Sequence, residues 1–194
     1  MSERAEPRPT RSVLVPYDRL PGWVERFSAR HGEPVVVREG TTVILTAPDG
    51  AAASYEDAPA PEDFGILLVR RGGYAIGRVE AGELTAHKTG TRYVQGRTKA
   101  GGWSQQRYAR RRANQADGLV EAAAEVARRL LPDAGAVFGG GDRALVGQVV
   151  DGRERGRELL LAPRWIEVKE PRFAALETAL RDAQAYEVHL NALA

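Results

Sequence analysis

Between Glu83 and Asp117 the chain carries no acidic residue, yet the interval holds Lys88, Arg92, Arg97, Lys99, Arg107, Arg110, Arg111 and Arg112, and glycines stand at 90, 96, 101 and 102. Regular structure is hard to build through so many glycines, so any fold for this chain has to carry a long exposed loop here. The whole chain is near neutral, +2 from 28 basic and 26 acidic residues. Eight of the basic residues lie in the interval, which leaves 20 against 26 elsewhere. One basic finger on an acidic body is the charge pattern of a polyanion-binding protein. Lysine occurs only at 88, 99 and 169; codon bias accounts for arginine in place of lysine, but not for the missing acids.

At 194 residues the chain has room for one domain or one domain with a small extension. Hydrophobic residues at 43% and charged residues at 28% are ordinary for a globular protein. With no cysteine, disulfides, thiol nucleophiles and Cys-ligated zinc are excluded. No run approaches the roughly 18 apolar residues of a membrane span, and the start has no signal-peptide-like apolar segment, so a cytoplasmic protein without membrane partners is expected.

Residues 1–11 are polar and proline-rich and read as a disordered tail. An α+β extension is expected over 12–61: a short strand at 12–15, a helix through Leu20, Trp23, Val24 and Phe27 stopping at His31-Gly32, a hairpin of 34–39 with 41–46, and a third strand at 51–55. Asp57-Ala-Pro-Ala-Pro-Glu-Asp63 is the best boundary. Beyond it, 64–71, 74–80 and 83–88 read as an antiparallel meander. The glycine loop follows. Then Ala116, Leu119, Val120, Ala123, Val126, Ala127, Leu130 and Leu131 give a long helix from about Ser104 to Pro132. A buried strand at 134–138, a turn at Gly139-Gly-Gly141, a helix capped by Asp142 and running to Val150, strands at 159–161 and 165–168, and a last helix over 171–190 complete the order. The fold class expected is α/β, a mixed β-sheet flanked by helices, with the second domain spanning 62–194.

The loop can approach a ligand closely at its glycines, meet phosphates through arginines and stack bases on Tyr93, Trp103 and Tyr108. Arg107, Arg110, Arg111 and Asn114 share one helical face just beyond it. RNA or single-strand contact is the reading these residues support. His31, His87 and His189 are too far apart in sequence for a local metal motif, and Gly139-Gly-Gly-Asp142 lacks the Lys-Ser/Thr of a phosphate loop.

Lys99-Ala-Gly-Gly-Trp-Ser-Gln-Gln-Arg-Tyr-Ala-Arg-Arg-Arg112 resembles the Gly-Gly-Gln loop of archaeal and eukaryotic peptide-chain release factors. Trp103 and Ser104 stand between the glycines and the glutamine, and a Gly-x-x-Gln run of this kind is the mark of the Vms-type release-factor-like (VLRF) family, whose actinobacterial branch suits the Arg- and Ala-rich composition. The resemblance covers 64–194, where the order of elements is also that of the release-factor catalytic domain. It implies a peptidyl-tRNA hydrolase that frees nascent chains on stalled large ribosomal subunits, with the large subunit and peptidyl-tRNA as partners. It needs no cofactor and no metal, and the chain is expected to be a monomer. Carried over by position, Gly102 and Gln105 form the Gly-x-x-Gln, Gly101 helps the loop bend, and Gln106 is the alternative to Gln105 as the catalytic glutamine. Arg92, Arg97, Lys99, Trp103, Arg107, Arg110, Arg111 and Arg112 would contact RNA. An amide side chain does not titrate, so glutamine would orient water rather than act as a base. Two alternatives stay open: an endonuclease cutting the tRNA 3′-CCA end, and a non-catalytic ribosome- or RNA-binding module.

Overall fold

The computed structural model describes residues 10–91, 104–133, 135–151 and 159–194, the side chains of 104–116 excepted. In chain order the first elements are β1 (Arg11–Pro16), a 3-10 turn (Tyr17–Arg19), α1 (Leu20–His31), β2 (Val35–Glu39), β3 (Thr42–Thr46) and β4 (Ala52–Glu56). There follow β5 (Phe64–Arg70), β6 (Gly73–Glu80), β7 (Glu83–Thr91), α2 (Ser104–Leu130), β8 (Ala136–Gly141), α3 (Arg143–Asp151), β9 (Leu160–Leu161), α4 (Phe173–Ala183) and β10 (Ala185–Leu190). Contacts divide these into two units, residues up to Ala60 with Gln184–Ala194, and Pro61–Ala183.

The first unit is an antiparallel sheet, β1-β10-β4-β3-β2, covered on one face by α1. Helix α1 forms because Leu20 and Phe27 recur at helical spacing and are both buried. It ends at Gly32, whose φ of +89° a residue with a β-carbon rarely adopts and whose N–H bonds to the Ser28 carbonyl at 2.8 Å. Their partners are Val15, Val43, Leu45, Tyr55, Val188 and Leu190, from four strands. Each such side chain contributes roughly 1.5–3 kcal/mol when fully buried.

Two expectations are corrected in this unit. The last helix does not run over 171–190: α4 stops at Ala183, and residues 185–190 form β10, paired to β1 along its whole length and to β4 through His189 and Leu190. Val188 and Leu190 point at the α1 side of the sheet, a period-two burial that overrides the helical reading. The tail expected over 1–11 is shorter, because Arg11 already pairs with Leu190 and the Thr10 N–H bonds to the Leu190 carbonyl at 2.7 Å; residues 1–9 lie outside the described residues.

The second unit holds the mixed sheet β7-β6-β5-β8-β9. Strands β5, β6 and β7 form the antiparallel meander, while β8 and β9 run parallel to β5. Helices α2 and α3 cover one face and α4 the other. Central β5 is buried from Phe64 to Val69 without alternation, as a strand packed on both faces should be. The β6–β7 turn has positive φ at both Ala81 (51°) and Gly82 (78°), the arrangement that matches strand twist in a two-residue hairpin. The chain before β5 holds it: the Asp63 carboxylate accepts from the Ala81 N–H at 3.0 Å and the Glu62 carbonyl from the Gly82 N–H at 2.9 Å.

The glycines at 139–141 are not a turn but the end of β8. A β-carbon on Gly139 would fall 2.8 Å from the Trp165 ring, and one on Gly140 would fall 2.6 Å from the Ile166 carbonyl. They are small because the segment carrying Trp165 and Ile166 lies against β8, bridging at Gly140 and Ile166. The strand expected at 165–168 is reduced to that bridge. Asp142 does cap α3, its carboxylate accepting from the Ala144 and Leu145 N–H groups at 3.1 and 3.3 Å. The architecture is an α/β fold, a mixed sheet flanked by helices, together with a separate small α+β unit.

Candidate functional site

The glycine-rich run is bounded by β7 on one side and α2 on the other. Residues 92–103 lie outside the described residues, and with them Arg92, Arg97, Lys99, Gly101, Gly102 and Trp103. Gln105, Gln106, Arg107, Arg110, Arg111 and Arg112 fall in the first turns of α2, where the backbone is helical and the side chains lie outside the description. What the structure defines is the platform from which the run departs.

Strand β7 leaves the sheet at a fixed place. Its last pairs are Tyr74 with Gly90 and Gly73 with Thr91. The Tyr74 ring is buried and lies across Gly90, where a β-carbon would come within 2.5 Å of it. Gly73 is equally constrained, since its β-carbon would meet the Gly90 carbonyl at 2.5 Å. Two glycines and one tyrosine thus seat the end of β7. On the other side, α2 runs for 27 residues, about 40 Å of helix. Leu119, Ala123, Ala124 and Ala127 anchor its second half in the core with Leu131 just beyond.

Arg70, Gly73 and Thr91 are level across β5, β6 and β7, and Gly141 of β8 is level with Val69 beside them. This end of the sheet carries further cations. The Arg70 guanidinium donates from Nη1 to the carbonyls of Val168 and Lys169 at 2.8 and 3.3 Å. Arg143 sits over the Trp165 ring, 4.2 Å from its centroid. Arg71 lies exposed in the β5–β6 turn. Sequence reasoning missed these residues. Their signal is register, which spacing along the chain does not show.

The histidines do not converge. His31 bonds to the Asp49 carboxylate at 2.8 Å in the first unit, and His87 packs against the Phe173 ring at 4.7 Å in the second. The described residues include no cluster of three or more His, Asp or Glu side chains able to hold a metal ion. No described helix is long and apolar enough to cross a membrane. Carboxylates held below their ordinary range are structural: Glu56 by the hydroxyls of Thr41 and Thr42, Asp49 by the Ala51 N–H and then His31, Glu80 by Thr85 and then Arg78. Burial pushes Asp182 upward, at the far end of α4.

Among solved structures the chain is similar to the archaeal translation termination factor aRF1, at 14% identity and a TM-score of 0.48 over 89% of this chain and 63% of that one. It is also similar to a structure described as an archaeal protein, at 16% identity and a TM-score of 0.33 over 72% and 51%. The chain therefore spans less than two thirds of the length of either. No curated protein matches it. The sequence pattern of the Actinobacteria/chloroflexi VLRF1 release factors matches residues 62–189, about two thirds of the chain. The chain belongs to the Actinobacteria/chloroflexi VLRF1 release factor family.

Proposed function

We propose that the chain is a peptidyl-tRNA hydrolase that releases nascent peptides from stalled large ribosomal subunits. The observation that carries this reading is the Gly102-Trp-Ser-Gln105 run, which follows the seated end of β7 in the chain and enters a long basic helix, in a member of a release-factor family. In the reaction a water oxygen attacks the ester carbonyl carbon, the bond from that carbon to the ribose oxygen breaks, and the ribose hydroxyl and the peptide carboxyl are the products. Gln105 or Gln106 orients the water and Gly101 and Gly102 let the backbone approach the ester, so that N–H groups can meet the developing oxyanion.

The RNA contacts fall to Arg92, Arg97, Lys99, Trp103, Arg107, Arg110, Arg111 and Arg112. Helical periodicity supports Arg107, Arg110 and Arg111: these positions, with 114, lie on the side of the α2 axis opposite the stripe of Leu119, Ala123 and Ala127, whereas position 112 falls on the stripe's own side. Purified protein incubated with large subunits carrying labelled peptidyl-tRNA is expected to release free peptide, and Gln105→Ala or Gln106→Ala to abolish release. Normal release by both variants, or peptide leaving with nucleotides attached, would overturn the reading; the latter product is that of a 3′-CCA nuclease.

A further inference from the structure

Arginines in the described part of the chain are held in two different ways. Arg38, Arg78 and Arg172 pair with the carboxylates of Asp57, Glu80 and Glu170 at 2.6, 2.8 and 2.7 Å, so their charge is offset locally. Arg70 and Arg143 are held by neutral groups instead, two backbone carbonyls and the face of an indole. Among the described residues neither makes an ion pair. Both side chains are exposed. A guanidinium fixed by neutral partners keeps its full charge and loses little rotamer freedom when it meets an anion.

Both lie on the same structure. The segment from Trp165 to Lys169 touches Arg143 at one end and Arg70 at the other. The Gly141 N–H bonds to the Ile166 carbonyl at 3.3 Å and the Asp142 N–H to the Val69 carbonyl at 2.8 Å, tying the segment, β8 and β5 into one rim. Exposed Arg71 and Lys169 extend that rim. Of its acids, Asp142 is engaged in capping α3 and Glu170 with Arg172, which leaves Glu167 exposed. The rim is the sheet end where β7 terminates, at Thr91.

We propose that Arg70, Arg71, Arg143 and Lys169 form a second RNA-binding element on the folded body, a clamp for backbone phosphates separate from the glycine-rich run. The clamp rests on the proposed function only in taking RNA as the partner. Phosphate is the chemistry it fits: planar guanidinium groups and a lysine, side chains that meet backbone anions without reading a base.

The test uses the full chain and fluorescent deacylated tRNA, with binding followed by anisotropy across a salt series. Arg71→Gln/Arg143→Gln/Lys169→Gln leaves Arg70 in place to hold its carbonyls. Each lost phosphate contact flattens the log Kd against log salt slope by about 0.7–0.9. The triple variant is expected to lose about two in slope and to bind about tenfold or more weakly at low salt. A control of equal charge change, Arg19→Gln/Arg26→Gln/Arg30→Gln on the first unit, is expected to keep the wild-type slope. An unchanged slope in the triple variant, an equal loss in the control, or loss of poly-glutamate binding with tRNA binding intact would each overturn the clamp. If the triple variant melts early, Arg71→Gln/Lys169→Gln, which touches no packed side chain, carries the same test with a loss of about one or more. Peptide release by the wild type is read separately: release with an unchanged variant slope sinks the clamp alone, while a flattened slope without release sinks the hydrolase reading alone.

Discussion

The phenol ring of Tyr74 lies across the α-carbon of Gly90, so close that a β-carbon there would fall within 2.7 Å of three of its atoms. Gly90→Ala has to push the ring out of a buried site at the end of β7. Overpacking of this kind costs about 1–3 kcal/mol, readable by chemical denaturation. Trimming the ring should relieve the clash, so Tyr74→Leu/Gly90→Ala is expected to be less destabilised than the sum of its single changes.

Gly140 and Gly147 should respond oppositely to the same substitution. A β-carbon on Gly140 meets the Ile166 carbonyl at 2.6 Å and a Leu68 methyl at 2.7 Å, whereas nothing lies within 4 Å of one on Gly147. Gly147 is inside α3, where alanine is favoured over glycine by about 0.5–1 kcal/mol. Gly147→Ala is expected to raise the melting temperature and Gly140→Ala to lower it.

Glu56 and Asp182 give opposite pH signatures. Hydroxyls of Thr41 and Thr42, each 2.6 Å away, hold the Glu56 carboxylate below its ordinary range. Its contribution is present above the unfolded value and disappears as pH falls through the depressed one. Glu56→Gln should therefore flatten the acid limb of a melting-temperature profile. Asp182 is raised by burial, so its contribution is present at low pH and is lost as pH rises through the raised value. Asp182→Asn should stabilise at neutral pH and do little in acid.

Leu190 is 4% exposed and belongs to the core of the first unit. Leu190→Ala is expected to cost about 2–5 kcal/mol. Amide exchange should show β1 and β4 losing protection together, since β10 lies between them.

Kinetics separate the proposed roles near the glycine-rich run. Arg110→Ala, Arg111→Ala and Arg112→Ala should raise KM for peptidyl-tRNA with a near-normal kcat. Glutamine substitution should lower kcat with KM little changed, the signature of a contact made in the transition state. A pure docking module would show neither effect on release.

The meander, the long helix and the α3 cap were legible because each is a local pattern: alternating or continuous apolar runs between turns, a 3.6 period, an aspartate before an amphipathic stretch. Residues 185–190 were not. Ala-Tyr-Glu-Val-His-Leu follows the helical spacing of Phe173, Leu176, Leu180 and Ala183 with no glycine or proline between, and only pairing with β1 makes it a strand. Gly139–Gly141 misled for a related reason: glycine signals a turn locally, but here it admits Trp165 and Ile166. The basic run and its glutamines stood out in composition and order. The cations of the sheet end did not, because only the pairing of β5 with β8 brings Arg70 and Arg143 to the same end of the sheet.

The placement of β10 also sets an order of events during synthesis. Strands β1 and β4 emerge early, but the strand that stands between them follows the whole second unit. Until it arrives, the α1 face of the first sheet has a gap where Val188 and Leu190 belong, and closing it requires a very long-range pairing that is slow to form. Every strand of the second unit precedes β10 in the chain, so the first unit is the later of the two to have all its strands available.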